Sequence, residues 1–257
     1  MTVSEIPDSH PRRASLISRQ KMVDASRRGL LAESAMIAHG RGEAYDYLLG
    51  EETSESAALA IREAAARLLR ASRPVISMNG NSTILAGSAA IKIASIIGCP
   101  VEVNIYYRTD ERIRGLVEEL ESLKERLCSG ESDETKSAIM GVEIMGIEAD
   151  GRIDGLEGPR SICCARGIQS ADVILVPLED GDRCEALISL GKQVIAIDLN
   201  PLSRTARTAT VTVVDEVSRA LGRLVEELPG NPLPTDWDND GALREALGVM
   251  SDASLRI

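Results

Sequence analysis

The chain of 257 residues has no phenylalanine, one tryptophan and four tyrosines, so aromatics make up only 2% of it. Its core must therefore be built from Val, Ile, Leu and Ala. There are two histidines, His10 and His39, far apart in sequence, and with no thiol cluster beside them a structural zinc site is not expected. The five cysteines (Cys99, Cys128, Cys163, Cys164 and Cys184) show neither CxxC spacing nor the framework of a small secreted protein. They read as reduced thiols, with Cys163-Cys164 as buried filler. Basic charge is scarce: 29 Lys and Arg against 40 Asp and Glu leave a net charge of -11. Duplex binding needs clustered cations, so a general nucleic-acid binder is excluded. No apolar run is long enough to span a bilayer, and the stretch from Met1 to Arg13 lacks the apolar segment of a signal peptide. A cytoplasmic protein with no membrane partner is expected. No GxSxG nucleophile elbow occurs either.

What is present is globular in character, with 44% hydrophobic and 27% charged residues. Leu16 to Ala38 has helical spacing broken near Gly29, which predicts two helices. His39 to Ala44 interrupts that pattern, and Tyr45 to Leu49 predicts the start of another helix. The Ala-rich stretch to Leu69, with Thr53 or Ser54 as cap, is a helix by propensity. Pro74 to Met78 is then a short β-branched strand closed by Asn79-Gly80-Asn81. A helix over 82–97, a stop at Gly98-Cys99-Pro100 and a strand over 101–105 complete a βαβ unit.

Further on, the pattern predicts a helix over 110–127, a polar connection over 129–136 and a strand over 139–147. A Gly-rich loop of unclear role follows over 151–160. Strands at 172–176, 194–198 and 210–214 enclose a short helix, and a helix covers 215–228. The fold class is α/β: a Rossmann-like, largely parallel sheet flanked by helices, with an N-terminal helical segment. Residues 1–228 make one domain, with 1–70 the helical part and 71–228 the nucleotide-binding core. Residues 229–257 read as a linker and a short helix over 242–250.

In open parallel sheets ligands collect beyond the carboxyl ends of the strands. Three loops carry suitable residues there. Asn79-Gly80-Asn81-Ser82-Thr83 offers close backbone approach and a helix start that favours an anion, although it is neither a Walker loop nor GxGxxG; an ordinary capped turn is the plainer reading. Glu179-Asp180-Gly181-Asp182-Arg183 follows the strongest strand, and its carboxylates suit a hard cation such as Mg²⁺, the alternative being a solvated acidic turn. In Asp198-Leu199-Asn200-Pro201-Leu202-Ser203-Arg204-Thr205, an acid can accept from a ribose hydroxyl while Ser203 and Arg204 donate to phosphates. Basic residues also gather near the N-terminus, with Arg19 on a helix and Arg41 between two glycines in a segment expected to be non-helical.

His10-Pro11-Arg12, the run from Gly40 to Gly50, Val75 to Asn81, Glu102-Val103-Asn104, Arg108 to Arg112, Leu178 to Arg183 and Asp198 to Thr205 together resemble the archaeal phosphopantothenate synthetases. The resemblance runs from about Ile6 to Leu224. It implies an ATP-dependent ligase of coenzyme A biosynthesis that condenses 4-phosphopantoate with β-alanine and releases AMP and pyrophosphate through an acyl-adenylate. It also implies a homodimer and a need for Mg²⁺. Carried onto this chain, Arg19, Arg41 and Asp182 are the expected catalytic residues. The nucleotide is expected on Arg19, Arg41, Asp180, Gly181, Asp182, Arg183, Asp198, Leu199, Asn200, Ser203 and Arg204. The substrate phosphate falls to Asn79, Gly80, Asn81 and Ser82, and the metal to Asp180 and Asp182. Two other readings stay open from the residues alone: an ADP-forming phosphotransferase, and a nucleotide-sensing module without turnover.

Overall fold

A computed structural model describes residues 6–252; the outer ends of the two segments expected from sequence, 1–5 and 253–257, lie outside the described residues. Three helices come first: α1 (Arg13–Arg27), α2 (Glu33–Leu48) and α3 (Glu55–Arg70). The chain then alternates through β1 (Pro74–Met78), α4 (Gly80–Ile97), β2 (Val101–Val103), α5 (Asp110–Leu127), α6 (Asp133–Met140) and β3 (Ile144–Met145). After β4 (Gly151–Arg152) and β5 (Ile162–Cys163) come β6 (Val173–Pro177), α7 (Gly181–Ser189), β7 (Gln193–Ile197), α8 (Arg204–Thr208), β8 (Val211–Val213), α9 (Val217–Glu227) and α10 (Asn239–Ser251).

Six strands form one sheet in the order β3-β2-β1-β6-β7-β8, and every neighbouring pair is parallel. The chain starts at the centre, winds outward to β3, then returns across β1 and winds the other way. The strand order therefore reverses between β1 and β6, which places a crevice at their carboxyl ends. The strands are buried runs of branched residues because helices cover both faces. Their period of two sorts the side chains: Ile76, Met78, Leu175, Ile195 and Ile197 face the larger core, while Val75, Ile174, Val176, Val194 and Ala196 face the smaller one. With no phenylalanine to fill space, the fit comes from close helix approach. A methyl on Gly87 of α4 would lie 2.8 Å from the Leu123 side chain of α5.

Helix α4 is the one described helix long and apolar enough to cross a membrane, and half of it is buried within the molecule. It starts in a capping box, in which the Asn79 side chain accepts from Ser82 N and the Ser82 hydroxyl accepts from Asn79 N. It ends at Gly98, whose φ of 71° suits a left-handed cap.

Several sequence expectations are corrected. Arg41 lies within a helix, because α2 runs unbroken through His39 to Ala44. Gly40 and Gly42 each cost a helix about 1 kcal/mol, and Gly42 packs beside Leu199 of the loop after β7. The polar connection at 129–136 contains the start of α6, capped by Ser132, and the strand expected over 139–147 shrinks to Ile144–Met145. Ser132 with acidic residues in the first turn supplies a helix start that outweighs the β-branched run behind it.

Between β3 and β6 the chain makes an insert with its own two-stranded antiparallel sheet, β4 with β5. The insert is pinned to the main sheet by Glu102 of β2, which is buried and accepts from Cys164 N and Ile168 N, both at 2.8 Å. The segment after Leu228 folds back along the edge of the sheet. Thr235 N and Oγ1 donate to Glu63 Oε2 at 2.9 and 2.8 Å, and Asn239 Oδ1 accepts from Thr212 N of the edge strand β8 at 2.7 Å. Leu243 and Ala246 of α10 are buried with Leu49, Leu199 and Val214.

Candidate active site

A cavity of about 1080 Å³ opens at the carboxyl ends of β1, β2, β6, β7 and β8, and α1 and α2 roof it. Its size suffices for two small ligands at once. A chain with a net charge of -11 gathers six arginines there: Arg12, Arg41, Arg112, Arg160, Arg204 and Arg219.

Five of those arginines are engaged. Arg12 donates to Glu51 at 3.0 Å and lies 4.0 Å over the Tyr47 ring. Arg112 donates to Tyr107 O at 2.5 Å. Arg160 donates to Glu179 at 2.8 Å and to Asp180 at 3.1 Å. Arg204 pairs with Asp182 and Glu185. Arg219 donates to Asp46 at 2.6 Å and also pairs with Asp215. Burial alone would lower the Arg219 pKa, but these two carboxylates outweigh it and the net shift is upward. Arg41 alone of the six makes neither a hydrogen bond nor an ion pair with a described residue. Asp198 lines the same cavity, and the charge of Arg41 acts on that carboxyl.

The loop after β1 is tied to the loop after β6. Asn79 Nδ2 donates to Leu178 O at 2.8 Å and to Pro177 O at 3.3 Å. Leu178 takes a φ of 59°, which an L side chain rarely adopts, and its own N–H donates to Ile197 O at 3.0 Å. These three bonds hold the turn that delivers Glu179 and Asp180 to the crevice. At the end of β7, Asp198 accepts from Asn200 N at 2.9 Å and from the Ser203 hydroxyl, a local turn characteristic of Asp. Burial raises the Asp198 pKa, with Ser203, Asn200 N and Arg41 pulling it back.

The residues anticipated from sequence divide into three groups. Arg41, Asp180, Gly181, Asp198, Leu199, Asn200, Ser203 and Arg204, together with Asn79, Gly80 and Asn81, line the cavity. Arg19 and Asp182 stand beside it. Arg19 is half-exposed on α1 and held 2.7 Å from Glu43, which does line the cavity, while Asp182 turns to Arg204. Arg183 and Ser82 lie beneath it, fully buried. Arg183 pairs with Glu179 and donates to Ser77 Oγ at 2.9 Å, and Ser82 is occupied by its capping box.

Arg160 and Arg219 were not anticipated. The first comes from the loop of unclear role, and the second sits on an amphipathic helix that gave no sign of a ligand. Arg112 belongs to the motif Arg108 to Arg112, which the resemblance included without assigning it a role.

Among the described residues no group of three His, Cys, Asp or Glu side chains could hold a metal ion. Asp180, half-exposed at the cavity, fits a Mg²⁺ that arrives with phosphates, since that ion takes one or two carboxylates and keeps its remaining positions for water and substrate. No cysteine lines the cavity. Burial pushes the thiols of Cys99, Cys163, Cys164 and Cys184 up to about 12, so none is suited to attack a substrate.

Residues 56–232 match the phosphopantothenate/pantothenate synthetase family. A 4-phosphopantoate–β-alanine ligase of Thermococcus kodakarensis is 47% identical over 221 residues, which is 86% of this chain and 79% of that protein. The proteins of the same name from Methanospirillum hungatei and Methanosarcina mazei are 44% and 41% identical, covering 98% and 97% of this chain and 99% and 96% of their own lengths.

Proposed function

The chain belongs to the phosphopantothenate/pantothenate synthetase family, and from that membership we propose that it joins 4-phosphopantoate to β-alanine at the expense of ATP, as a ligase of coenzyme A biosynthesis. The observation that carries this reading is one cavity, at the strand-order reversal, large enough for two ligands and lined by six arginines. A carboxylate is a poor acyl donor. Its oxygen attacks the α-phosphorus of ATP, pyrophosphate leaves, and the amine of β-alanine then displaces AMP from the acyl carbon while releasing a proton. Both steps concentrate negative charge, which cations in a water-poor cleft stabilise. The remaining contribution is positioning, and neither step calls for a protein nucleophile.

The nucleotide is assigned to the β7 side. There Asp198 accepts from a ribose hydroxyl, and the free guanidinium of Arg41, with Ser203 and Arg204 nearby, meets the phosphates. Asp180 would hold a Mg²⁺ accompanying ATP, and that ion would supply charge neutralisation at the phosphates. Arg183 and Ser82 support the site from below, and Arg19 acts through Glu43. The substrate phosphate is assigned to the start of α4. A homodimer is proposed from the resemblance, and the exposed line Ile37, Ala44 and Leu48 along α2 suits a subunit contact.

The test is an assay with ATP, 4-phosphopantoate and β-alanine, each omitted in turn, with the nucleotide product identified. AMP and pyrophosphate formed only with all three present is the expected result. ADP and phosphate would establish a phosphotransferase, and ATP binding with no product a sensing module; either rejects the ligase.

A further inference from the structure

The insert between β3 and β6 sends one side chain into the cavity, and the reading above gives it no task. Arg160 is 6% exposed and lines the cavity. Two of its donors are used, Nη2 to Glu179 at 2.8 Å and Nη1 to Asp180 at 3.1 Å, but its Nε is buried with no partner. Burying a guanidinium is costly unless its charge and its donors are matched. Here the matching is incomplete. Glu179, itself fully buried, is shared with Arg183, so Arg160 leans for its remaining charge on the half-exposed Asp180.

The start of α4 lines the same cavity as this guanidinium. Asn79 is bonded to Pro177 O and Leu178 O, directly before Glu179 and Asp180, so the α4 N-terminus and the carboxylates that hold Arg160 sit on one linked pair of loops. The capping box uses Ser82 N, and Thr83 N donates to Asn79 O at 2.9 Å. Gly80 N and Asn81 N donate to no described residue. Gly80 lies tight under the roof, where a methyl would come 3.0 Å from Leu31 Cδ2. Two free amides at the positive end of an 18-residue helix and the Arg160 guanidinium thus line one cavity, and both are complementary to a tetrahedral dianion.

We propose that Arg160 is a substrate-binding residue that donates, together with Gly80 N and Asn81 N, to the 4-phosphate of phosphopantoate. This deepens the ligase reading and rests on it. The phosphate offers Arg160 the full anion that Asp180 supplies only in part, and it leaves Asp180 free for the ATP side of the cavity. The insert then has a purpose in the fold: Glu102 fixes it to β2 so that Arg160 arrives at a set depth.

Calorimetric titration of the full chain with 4-phosphopantoate, with pantoate and with ATP, each alone, tests the assignment in the wild type and in Arg160→Ala and Arg160→Lys. Affinity for 4-phosphopantoate should fall at least tenfold in Arg160→Ala and by less in Arg160→Lys. Pantoate, which lacks the phosphate, should bind variant and wild type alike, and ATP affinity should stay within about twofold. Unchanged 4-phosphopantoate binding in both variants overturns the proposal, as does an equal loss for pantoate or a loss confined to ATP. If Arg160→Ala does not fold by its thermal transition, the Lys variant decides by the same three ligands, because it keeps the charge and loses the fork. A wild type that binds no 4-phosphopantoate takes down the ligase reading together with this one. A wild type that binds it, with variants indistinguishable from it, removes only the role of Arg160.

Discussion

Arginines that look equivalent along the sequence occupy different physical situations. Arg183 is enclosed with Glu179 and Ser77, so its charge is matched beneath the cavity rather than offered to a ligand. Arg19 is spoken for by Glu43, whose carboxyl it holds low: burial pushes the Glu43 pKa up, and bonds from Arg19 and Ser15 bring the net shift down. Arg41, by contrast, is an exposed residue at the cavity edge with no hydrogen bond or ion pair to a described residue, so the work of binding an anion meets no internal competition. Replacing Arg41 with Ala should remove a charge-assisted contact of about 1.5–3 kcal/mol. Steady-state kinetics should then show the KM for ATP raised by roughly tenfold to a hundredfold, with the thermal midpoint little changed. ATP saturation at the wild-type concentration would reject the assignment.

The elements show where local signals suffice and where they are overridden. The β1–α4 and β6–α7 junctions were readable because strand, turn and cap lie within a few residues of one another. Asn79 and Ser82 are three apart and close their own capping box. Helix α2 was misread at Gly40 and Gly42 because what keeps it helical is distant: Asp46, four residues on from Gly42, pairs with Arg219 on α9.

The insert was illegible for the same reason, since its anchor, Glu102, lies some 60 residues before the amides it holds. Burial raises the Glu102 pKa while the amides of Ile168 and Cys164 oppose that shift, so its two amide bonds are what justify a carboxylate there. Glu102→Gln keeps the shape but turns an NH2 group toward one of the two N–H donors. It should cost about 1–3 kcal/mol in denaturant unfolding, and the amides of Cys164 and Ile168 should exchange faster with solvent. Unaltered stability and protection would show that Glu102 does not anchor the insert.

At the scale of the molecule, strand order places the site. A parallel sheet wound in both directions from its centre leaves one crevice, and the N-terminal helices turn that crevice into a cavity. Their roofing role explains why Arg41, far from any strand end in sequence, is grouped with Asp198 and Asn200. The outer face of the roof carries Ile37 at 73% and Leu48 at 46% exposure, eleven residues apart and hence on one line of α2. If that line is the contact of the proposed homodimer, Ile37→Asp should shift sedimentation from dimer toward monomer at micromolar concentration. A wild type that sediments as a monomer, or a dimer indifferent to Ile37→Asp, excludes this face.

The sequence by itself determined the class of the fold, three strand-end loops whose residues suit a ligand, and, through its ordered motifs, the family. Those rest on short-range regularities: the period of apolar residues, the chemistry of turns and caps, and strings of neighbouring residues. Only the tertiary structure decided which members of those strings face the cavity. It turned Asp180 toward the space and Asp182 away from it, set Arg183 beneath the floor, and brought in Arg160 and Arg219. Arg160 is held by carboxylates 19 and 20 residues on, and Arg219 by Asp46, 173 residues before it. That pairing is an outcome of packing, and no local pattern in the chain encodes it.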